Sequence, residues 1–145
     1  MAQPDYTPDA VRTLARLSRL LERGAGDLSL AQFRVLAMVD DGGDRASWLA
    51  DRLALARPTI TSIVDGLVER GYLTRTADAG DRRVTRIALT QRGRRALEAA
   101  EAAMAERLQE VLAQTADSAA VAWAINELGS GLDRMRAKRL AGERA

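Results

Sequence analysis

The sequence contains no cysteine and no histidine among its 145 residues. Without cysteine it can form neither a disulfide framework nor a thiolate zinc site. Without histidine it also lacks the usual general base, so Ser-His-Asp and Cys-His catalytic arrangements cannot be built. It has no glycine-rich phosphate-binding loop. We therefore expect no metal, no cofactor and no enzymatic activity; acid–base work by paired Asp and Glu stays open, but no such pair is placed around a pocket.

Long hydrophobic runs are also missing, because no apolar run approaches the length that spans a membrane. Residues 1–8 lack the basic and then apolar pattern of a signal peptide. We therefore expect a cytoplasmic protein that has no membrane partner. A length of 145 residues fits one domain with a hydrophobic core.

The net charge of +2 does not by itself indicate a nucleic-acid partner, but the charges are unevenly distributed. Residues 45–98 contain eleven arginines and six acidic residues, whereas the rest of the chain contains eleven basic and fourteen acidic residues. The positive charge is therefore concentrated in one segment, as in proteins that bind nucleic acids. Arginine supplies all basic residues except Lys138. Genomic base composition can produce such a bias, so it is weak evidence.

Two short helices separated by a tight turn are predicted in this segment, over residues 46–53 and 58–70. The second helix has an apolar stripe at helical spacing, formed by Ile60, Ile63, Val64, Leu67 and Val68. Pro58 suits the first helical turn, and Gly71 suits a left-handed C-terminal cap. An ordinary amphipathic helix would fit the same stripe, so the stripe alone does not indicate DNA binding.

A basic β-hairpin is predicted directly after the second helix. Its first strand begins at residues 72–74, its turn falls at residues 78–81, and its return strand includes Val84, Ile87 and Leu89. The hairpin carries four arginines, Arg75, Arg82, Arg83 and Arg86. Guanidinium groups suit phosphate contacts and narrow minor grooves. A solvated loop is the alternative, but a basic hairpin after a helix-turn-helix is typical of a DNA-binding wing.

The ordered motifs of this region resemble the winged-helix core of MarR-family transcriptional regulators. The motifs are Leu49-Ala50-Asp51-Arg52-Leu53, Arg57-Pro58-Thr59-Ile60-Thr61, residues 64–73, Asp81-Arg82-Arg83 and Leu89-Thr90-Gln91-Arg92-Gly93. The flanking helices also resemble the family, so the resemblance covers nearly the whole chain. It implies a mainly α fold with a small β-wing, in which a winged helix-turn-helix core lies between N- and C-terminal dimerisation helices.

Helix caps support this organisation. Thr7 before Pro8 begins the first helix, Ser29 with Gln32 forms a capping box, and Thr90 caps a helix of about two dozen residues. We assign the N-terminal dimerisation helix to residues 1–28, the winged helix-turn-helix region to residues 29–92 and the C-terminal dimerisation helices to residues 93–145. The last helix is predicted from about residue 116, and no flexible linker divides this compact chain.

The resemblance implies which residues contact double-stranded DNA. The recognition-helix residues expected in the major groove are Arg57, Pro58, Thr59, Thr61 and Ser62. In the wing, Arg82 or Arg83 is expected to reach the minor groove, and Asp81 is expected to orient the wing arginines. Arg75 and Arg86 are added to the predicted wing contacts on their charge, because guanidinium groups suit phosphate contacts.

Two departures from the family pattern concern base recognition. Ala56 stands where the family often has a serine, and Ser62 and Gly66 stand where it often has a basic residue. The base preference of the family therefore cannot be carried over to this chain.

A homodimer is predicted from apolar residues in the outer helices. The last helix repeats apolar residues at spacings of four and three, which forms a heptad-like seam. The predicted interface residues are Leu14, Leu17, Leu21, Val121, Ile125, Leu128, Leu132 and Met135, and we add Trp123. An intramolecular partner would cover part of this surface. A dimer is favoured because the seam is long and helix-turn-helix proteins usually read palindromes as two-fold dimers.

The resemblance also implies a crevice for a small aromatic or phenolic effector. The candidate residues are Leu14, Arg16, Leu17, Phe33, Arg34, Trp48 and Met104. The simpler interpretation makes the apolar members core residues and the arginines surface residues. Peroxide sensing through cysteine and zinc sensing through histidine or cysteine, which family members use, are excluded by the composition.

Three classes of function follow. The favoured one is a dimeric repressor that binds a pseudo-palindromic operator and either responds to a ligand or acts constitutively. The second is a sequence-tolerant architectural DNA-binding protein, which would discriminate little between specific and random DNA. The third, an enzyme, is disfavoured by the missing residues described above.

Overall fold

The computed structural model describes residues 8–81 and 83–142. Within these residues the elements are α1 (Pro8–Gly24), α2 (Leu30–Asp40), α3 (Ala46–Leu53), α4 (Arg57–Glu69), β1 (Leu73–Ala77), β2 (Thr85–Leu89), α5 (Gln91–Leu112) and α6 (Ser118–Gly142). The predicted fold class, mainly α with a small β-wing, is confirmed. In the described part of the chain, no helix is long and apolar enough to cross a membrane.

The chain divides into two compact units, Met1–Ala105 and Glu106–Ala145. The division falls within α5, which is a continuous helix of 22 residues. The first unit therefore contains α1 to α4, the hairpin and most of α5. The domain boundaries predicted at residues 28 and 92 stay predictions.

Local capping chemistry fixes the helix starts. The Ser29 hydroxyl accepts a hydrogen bond from the Gln32 amide at 3.2 Å, and the Gln32 side chain accepts one from the Ser29 amide at 3.0 Å. The predicted capping box is therefore confirmed. Thr90 accepts from the Gly93 amide at 2.9 Å, and Asp117 accepts from the Ala120 amide at 2.9 Å. The latter bond places the start of α6 at Ser118, two residues after the predicted start; Thr7 lies outside the described residues.

The hydrophobic core lies in the first unit and determines which face of α4 points outward. Ile60, Val64 and Leu67 are fully buried, and Ile63 and Val68 pack partly buried against the same core. The predicted stripe is therefore the inner face of α4. Burying each large aliphatic side chain contributes about 1.5–3 kcal/mol to the free energy of folding, so turning α4 to expose this face would be costly. The opposite, polar face of α4 is left to solvent.

The turn between α3 and α4 depends on a residue that sequence reasoning did not single out. Ala54 has a left-handed backbone with φ of 52°, and the Leu55 amide donates to the Ala50 carbonyl at 3.1 Å. Ala56 is then extended, with no side-chain capping bond, and Pro58 lies in the first turn of α4. The departure at Ala56 therefore leaves the N-terminus of α4 without the side-chain cap that a serine can supply.

β1 and β2 pair antiparallel, with a register from Leu73 opposite Leu89 to Ala77 opposite Thr85. Leu73 and Ile87 are buried, whereas most of their strand neighbours are exposed. The hairpin is therefore anchored to the core by one face. The Ile87 amide also donates to the Asp44 carbonyl at 2.7 Å, which ties β2 to the loop before α3.

The end of α4, the start of β1 and the start of α5 meet at one junction. Gly71 has a φ of 71°, which confirms the predicted left-handed cap. The Thr90 hydroxyl donates to the Gly71 carbonyl at 2.6 Å, and the Thr90 amide donates to the Tyr72 carbonyl at 3.0 Å. A Cβ atom on Gly93 would collide with that Tyr72 carbonyl. The backbone at the start of α5 thus touches Tyr72, the residue before β1, where only a glycine fits.

Candidate nucleic-acid interface

The five residues predicted to face the major groove are all exposed near the N-terminal end of α4. Four of them line one open concavity that continues along the helix, and its lining residues are Arg57, Pro58, Thr61, Ser62, Asp65, Gly66 and Glu69. The fifth, Thr59, is exposed outside that concavity. The polar outer face of α4 is therefore available to a partner along its length. Contact of these residues with DNA stays a prediction.

Thr61 has a restricted hydrogen-bonding role. Its hydroxyl donates to the Arg57 carbonyl at 3.0 Å, one helical turn earlier. A hydroxyl has a single proton to donate, so in this geometry the outward groups of Thr61 are an acceptor oxygen and a methyl group. These groups suit a cytosine or adenine amino group and a thymine methyl group in the major groove.

Arg75 links the wing to α4. Its Nη1 lies 2.6 Å from the Asp65 Oδ1, and both side chains are partly exposed. The pair offsets a carboxylate charge on the outer face of α4, where an unpaired carboxylate would repel phosphates. Arg75 was predicted as a wing contact to DNA; the structure places its guanidinium in this ion pair.

Arg86 is held by two carboxylates from different parts of the first unit. Its Nε donates to Asp78 in the hairpin turn, and its Nη1 donates to Asp44 in the loop before α3. Arg86 was also predicted as a wing contact to DNA. The structure places its guanidinium between these carboxylates.

The tip of the hairpin is organised by two aspartates that accept backbone hydrogen bonds. The Asp78 Oδ1 accepts from the amides of Gly80 and Asp81 at 2.8 and 3.2 Å. The Asp81 Oδ1 accepts from the Arg83 amide at 2.9 Å. Asp81 therefore contacts the main chain of Arg83, whereas the prediction gave it a role in orienting the wing arginines.

Arg83 is the described arginine that presents its side chain at this tip. It is exposed, and among the described residues no carboxylate lies within ion-pair distance of it. Arg82, the alternative minor-groove residue, lies outside the described residues. Arg83 thus differs from Arg75 and Arg86, whose guanidinium groups are paired.

The residues predicted to line an effector crevice have different environments. Met104 belongs to the buried core, and Phe33 and Trp48 pack partly buried against that core. Leu14, Arg16 and Arg34 are exposed, and Leu17 is half-buried. The Trp48 ring packs near Gly43, with the Arg52 guanidinium 4.7 Å from the ring centroid.

A cleft of about 220 Å³ lies elsewhere in the first unit, between the α1–α2 turn and α5. Its lining residues are Gly24, Ala25, Gly26, Asp27, Leu28, Arg70, Tyr72, Ala96, Ala99, Ala100 and Ala103. None of the seven predicted crevice residues lines this cleft. The effector crevice stays a prediction.

The predicted dimer residues lie on α1 and α6. On α1, Leu14 is exposed, and Leu17 and Leu21 are half-buried. On α6, Ile125 is half-buried, and the exposed members are Val121, Leu128, Leu132 and Met135. Trp123 is 67% exposed on the same helix. Each helix therefore presents apolar side chains that the described part of the chain leaves uncovered.

Sequence reasoning missed the carboxylates that pair with the wing arginines. Asp44 and Arg86 are 42 positions apart, so no local pattern connects them. Asp65 lies within the predicted second helix, but its pairing with Arg75 depends on how the wing packs against that helix. The available signal was the presence of carboxylates in and beside the basic segment.

Comparisons with known proteins agree with this geometry. The model of the MarR family matches residues 26–84, which include α2, α3, α4, β1 and the wing tip. An uncharacterised helix-turn-helix-type transcriptional regulator of Bacillus subtilis, YpoP, is 32% identical over 73 residues, which are 50% of this chain and 52% of that protein. The chain thus matches about half the length of this curated relative.

Solved structures match over most of the chain. The transcriptional regulator BldR from Sulfolobus solfataricus has a TM-score of 0.70 at 25% identity, covering 95% of this chain and 99% of that one. MarR from Escherichia coli has a TM-score of 0.72 at 23% identity, covering 83% and 94% of the two chains. Residues 26–84 of the chain therefore match the MarR family, and the chain has the winged helix-turn-helix fold of DNA-binding transcriptional regulators.

Proposed function

We propose that the chain acts as a dimeric transcriptional repressor that binds a pseudo-palindromic operator. The observation that carries the proposal is the joint exposure of the N-terminal face of α4 and of Arg83 in one compact unit. A recognition helix of this kind reads base edges in the major groove, and an exposed arginine on a wing suits the minor groove. The residues proposed to contact bases are Arg57, Pro58, Thr59, Thr61 and Ser62.

A homodimer is supported by the apolar surfaces of α1 and α6. Leu14 is 53% exposed, and Leu128 and Leu132 are 57% and 67% exposed. Apolar side chains that recur along a helix without a covering element favour association with a second chain. A two-fold dimer would present two recognition helices to two half-sites of one operator.

Two relatives of the same fold support the proposed partners. The structure of a MepR mutant from Staphylococcus aureus bound to an oligodeoxyribonucleotide has a TM-score of 0.63 at 19% identity and covers 92% of this chain. CouR of Rhodococcus jostii RHA1 was crystallised with p-coumaroyl-CoA, with a TM-score of 0.70 at 22% identity over 92% of this chain. We propose double-stranded DNA as the first partner and a small aromatic or phenolic effector as the second.

The proposed effector would release the operator. Arg16 and Arg34 are exposed and are the cationic candidates to pair with an effector carboxylate, while Phe33 and Trp48 are the aromatic candidates. The test is titration of the protein–operator complex with p-coumarate, first with wild type and then with Arg16→Ala and Arg34→Ala. Release that survives both substitutions unchanged would show that these arginines do not hold the effector.

The experiment that tests the DNA proposal is a footprint on the DNA that flanks the coding region, followed by titration of the protected duplex and a scrambled duplex at one salt concentration. We expect a protected pseudo-palindrome with half-site centres about 10 bp apart, one turn of B-DNA. The protected duplex should bind at least about 10³-fold more tightly than the scrambled one. Equal binding of both duplexes would replace the repressor by the architectural DNA-binding protein, and binding of neither would refute both.

A further inference from the structure

The ion pairs of Arg86 join three backbone segments of the first unit. Arg86 lies on β2, Asp78 lies in the turn that forms the wing tip, and Asp44 lies in the loop before α3. Both aspartates also make hydrogen bonds with the backbone. The Asp78 side chain accepts hydrogen bonds from two amides of the turn, and the Asp44 main-chain carbonyl accepts one from the Ile87 amide of β2 at 2.7 Å. Arg86 therefore connects the wing tip to the helix-turn-helix through two aspartates that backbone hydrogen bonds already hold in place.

The surroundings favour a structural role for this network. The Asp78 side chain is 17% exposed, while the Arg86 and Asp44 side chains are 43% and 39% exposed. An isolated surface ion pair contributes little to the free energy of folding, but a network of several charges with good geometry contributes more. Here the network acts on the turn that carries Arg83, because the Asp78 oxygen that does not pair with Arg86 accepts the Gly80 and Asp81 amides.

We propose that Arg86, Asp44 and Asp78 form a brace that holds the wing tip in position for DNA, and that Arg86 is a positioning residue and not a DNA contact. The proposal deepens the proposed function and rests on it, since the tip has to be positioned for a nucleic-acid partner. Its consequence is specific to this chain: two acidic residues in or beside the most basic segment strengthen the binding of a polyanion.

The direction in which DNA affinity changes when a carboxylate is removed distinguishes the brace from a direct contact between Arg86 and DNA. If Arg86 contacts phosphate, removing a nearby carboxylate lowers the repulsion of DNA and should leave affinity unchanged or raise it. If the brace holds the tip, removing either carboxylate loosens Arg83 and should lower affinity. Asp78→Asn keeps a side-chain oxygen for the two turn amides, so it removes the charged pairing with Arg86 and spares the turn.

The experiment measures the affinity of the full chain for a mixed-sequence duplex at one fixed salt concentration. The variants are Arg86→Gln, Asp44→Asn, Asp78→Asn and the double variant Arg86→Gln with Asp78→Asn. We expect each single variant to bind DNA about three- to tenfold more weakly. The double variant should bind as Arg86→Gln does, because both substitutions remove the same ion pair and their effects do not add. Asp41→Asn is the matched control: it makes the same charge change three positions from Asp44, and in the described chain Asp41 has no ion pair.

A second measurement does not depend on DNA. Amide hydrogen exchange at Gly80, Asp81 and Arg83 should accelerate in Arg86→Gln and Asp44→Asn, with unchanged protection in the buried parts of α2 and α4. Wild-type or tighter DNA binding by the two aspartate variants, alongside weaker binding by Arg86→Gln, would overturn the brace. If the wild type binds no duplex, the proposed function fails, and unchanged exchange at the tip would then refute the brace on its own.

Discussion

Helices α4 and α6 were predicted from the same kind of pattern, apolar residues at helical spacing, but their environments differ. On α4, Ile60, Val64 and Leu67 are 0% exposed. On α6, Leu128 and Met135 are each 57% exposed. Apolar periodicity thus indicates that a face has to be covered, but it does not identify the chain that covers it. The core of the same chain covers the α4 stripe, and we propose that a second copy of the chain covers the apolar residues of α6.

The largest effect is expected on α6. Replacing Leu128 and Leu132 by Asp would bury two unpaired charges in the proposed dimer interface, at a cost of several kcal/mol per ion by order of magnitude. The variant should sediment as a monomer or unfold at concentrations where the wild type is a dimer. Asn126→Asp adds a charge at an exposed polar position of the same helix and should leave sedimentation unchanged. A dimer of unchanged stability in the double variant would place the interface elsewhere.

The next effect tests the covered stripe. Leu67→Ala should lower the free energy of unfolding by about 2–5 kcal/mol, because it removes a fully buried side chain and leaves a cavity. Urea denaturation at two protein concentrations distinguishes the effect of this α4 substitution from that of the α6 substitutions. The energetic loss caused by Leu67→Ala should be the same at both, whereas that of the α6 variant should depend on concentration. A loss below about 0.5 kcal/mol, the range of surface substitutions, would contradict the assignment of Leu67 to the core.

A smaller effect is expected at the wing. Arg83→Ala should weaken binding to operator and scrambled duplex alike by about 1.5–3 kcal/mol, because contacts to phosphate and groove width carry little base information. The slope of log affinity against log salt should shrink by about one unit per lost phosphate contact. Arg95→Ala removes the same charge from an exposed position of α5 and serves as the control. An unchanged affinity and slope for Arg83→Ala would remove the tip from the proposed interface.

The smallest effect should appear on the outer face of α4. Thr61→Ala should lower operator affinity by about 1 kcal/mol and leave scrambled DNA nearly unaffected, since the Thr61 oxygen and methyl face base edges in the proposed complex. Thr13→Ala makes the same chemical change at an exposed position of α1. Paired titrations at fixed salt would measure both variants. An equal loss on both duplexes would show that Thr61 supports general binding and not base reading.

The predictable part of this fold is the part that local chemistry decides. α3 was predicted at its observed bounds, and α4 begins and ends one residue earlier than predicted. The reason lies in short-range signals such as the Ser29–Gln32 capping box, Pro58 in the first turn of α4 and Gly71 after it. The exposed polar face of α4 followed from the apolar stripe opposite it.

The missed features depend on tertiary packing. Ala54 adopts a left-handed backbone without the glycine or asparagine that would have signalled it. Val35 of α2 is fully buried, although nothing in the sequence analysis marked it as a core residue. Arg75 and Arg86 were predicted as DNA contacts from charge alone, and their carboxylate partners come from other elements. Charge in a sequence therefore predicts a basic segment, but not which of its arginines are unpaired.

The contact between Gly93 and the Tyr72 carbonyl has a consequence for genetics. Even a methyl group at position 93 would push the start of α5 away from the Tyr72 backbone and disturb the Thr90 bonds that close the same junction. A random mutagenesis screen for loss of the proposed repression should therefore recover missense alleles at codon 93. Such alleles would resemble DNA-contact alleles in phenotype, although they would act by misfolding a junction at the opposite end of the recognition helix from its N-terminus.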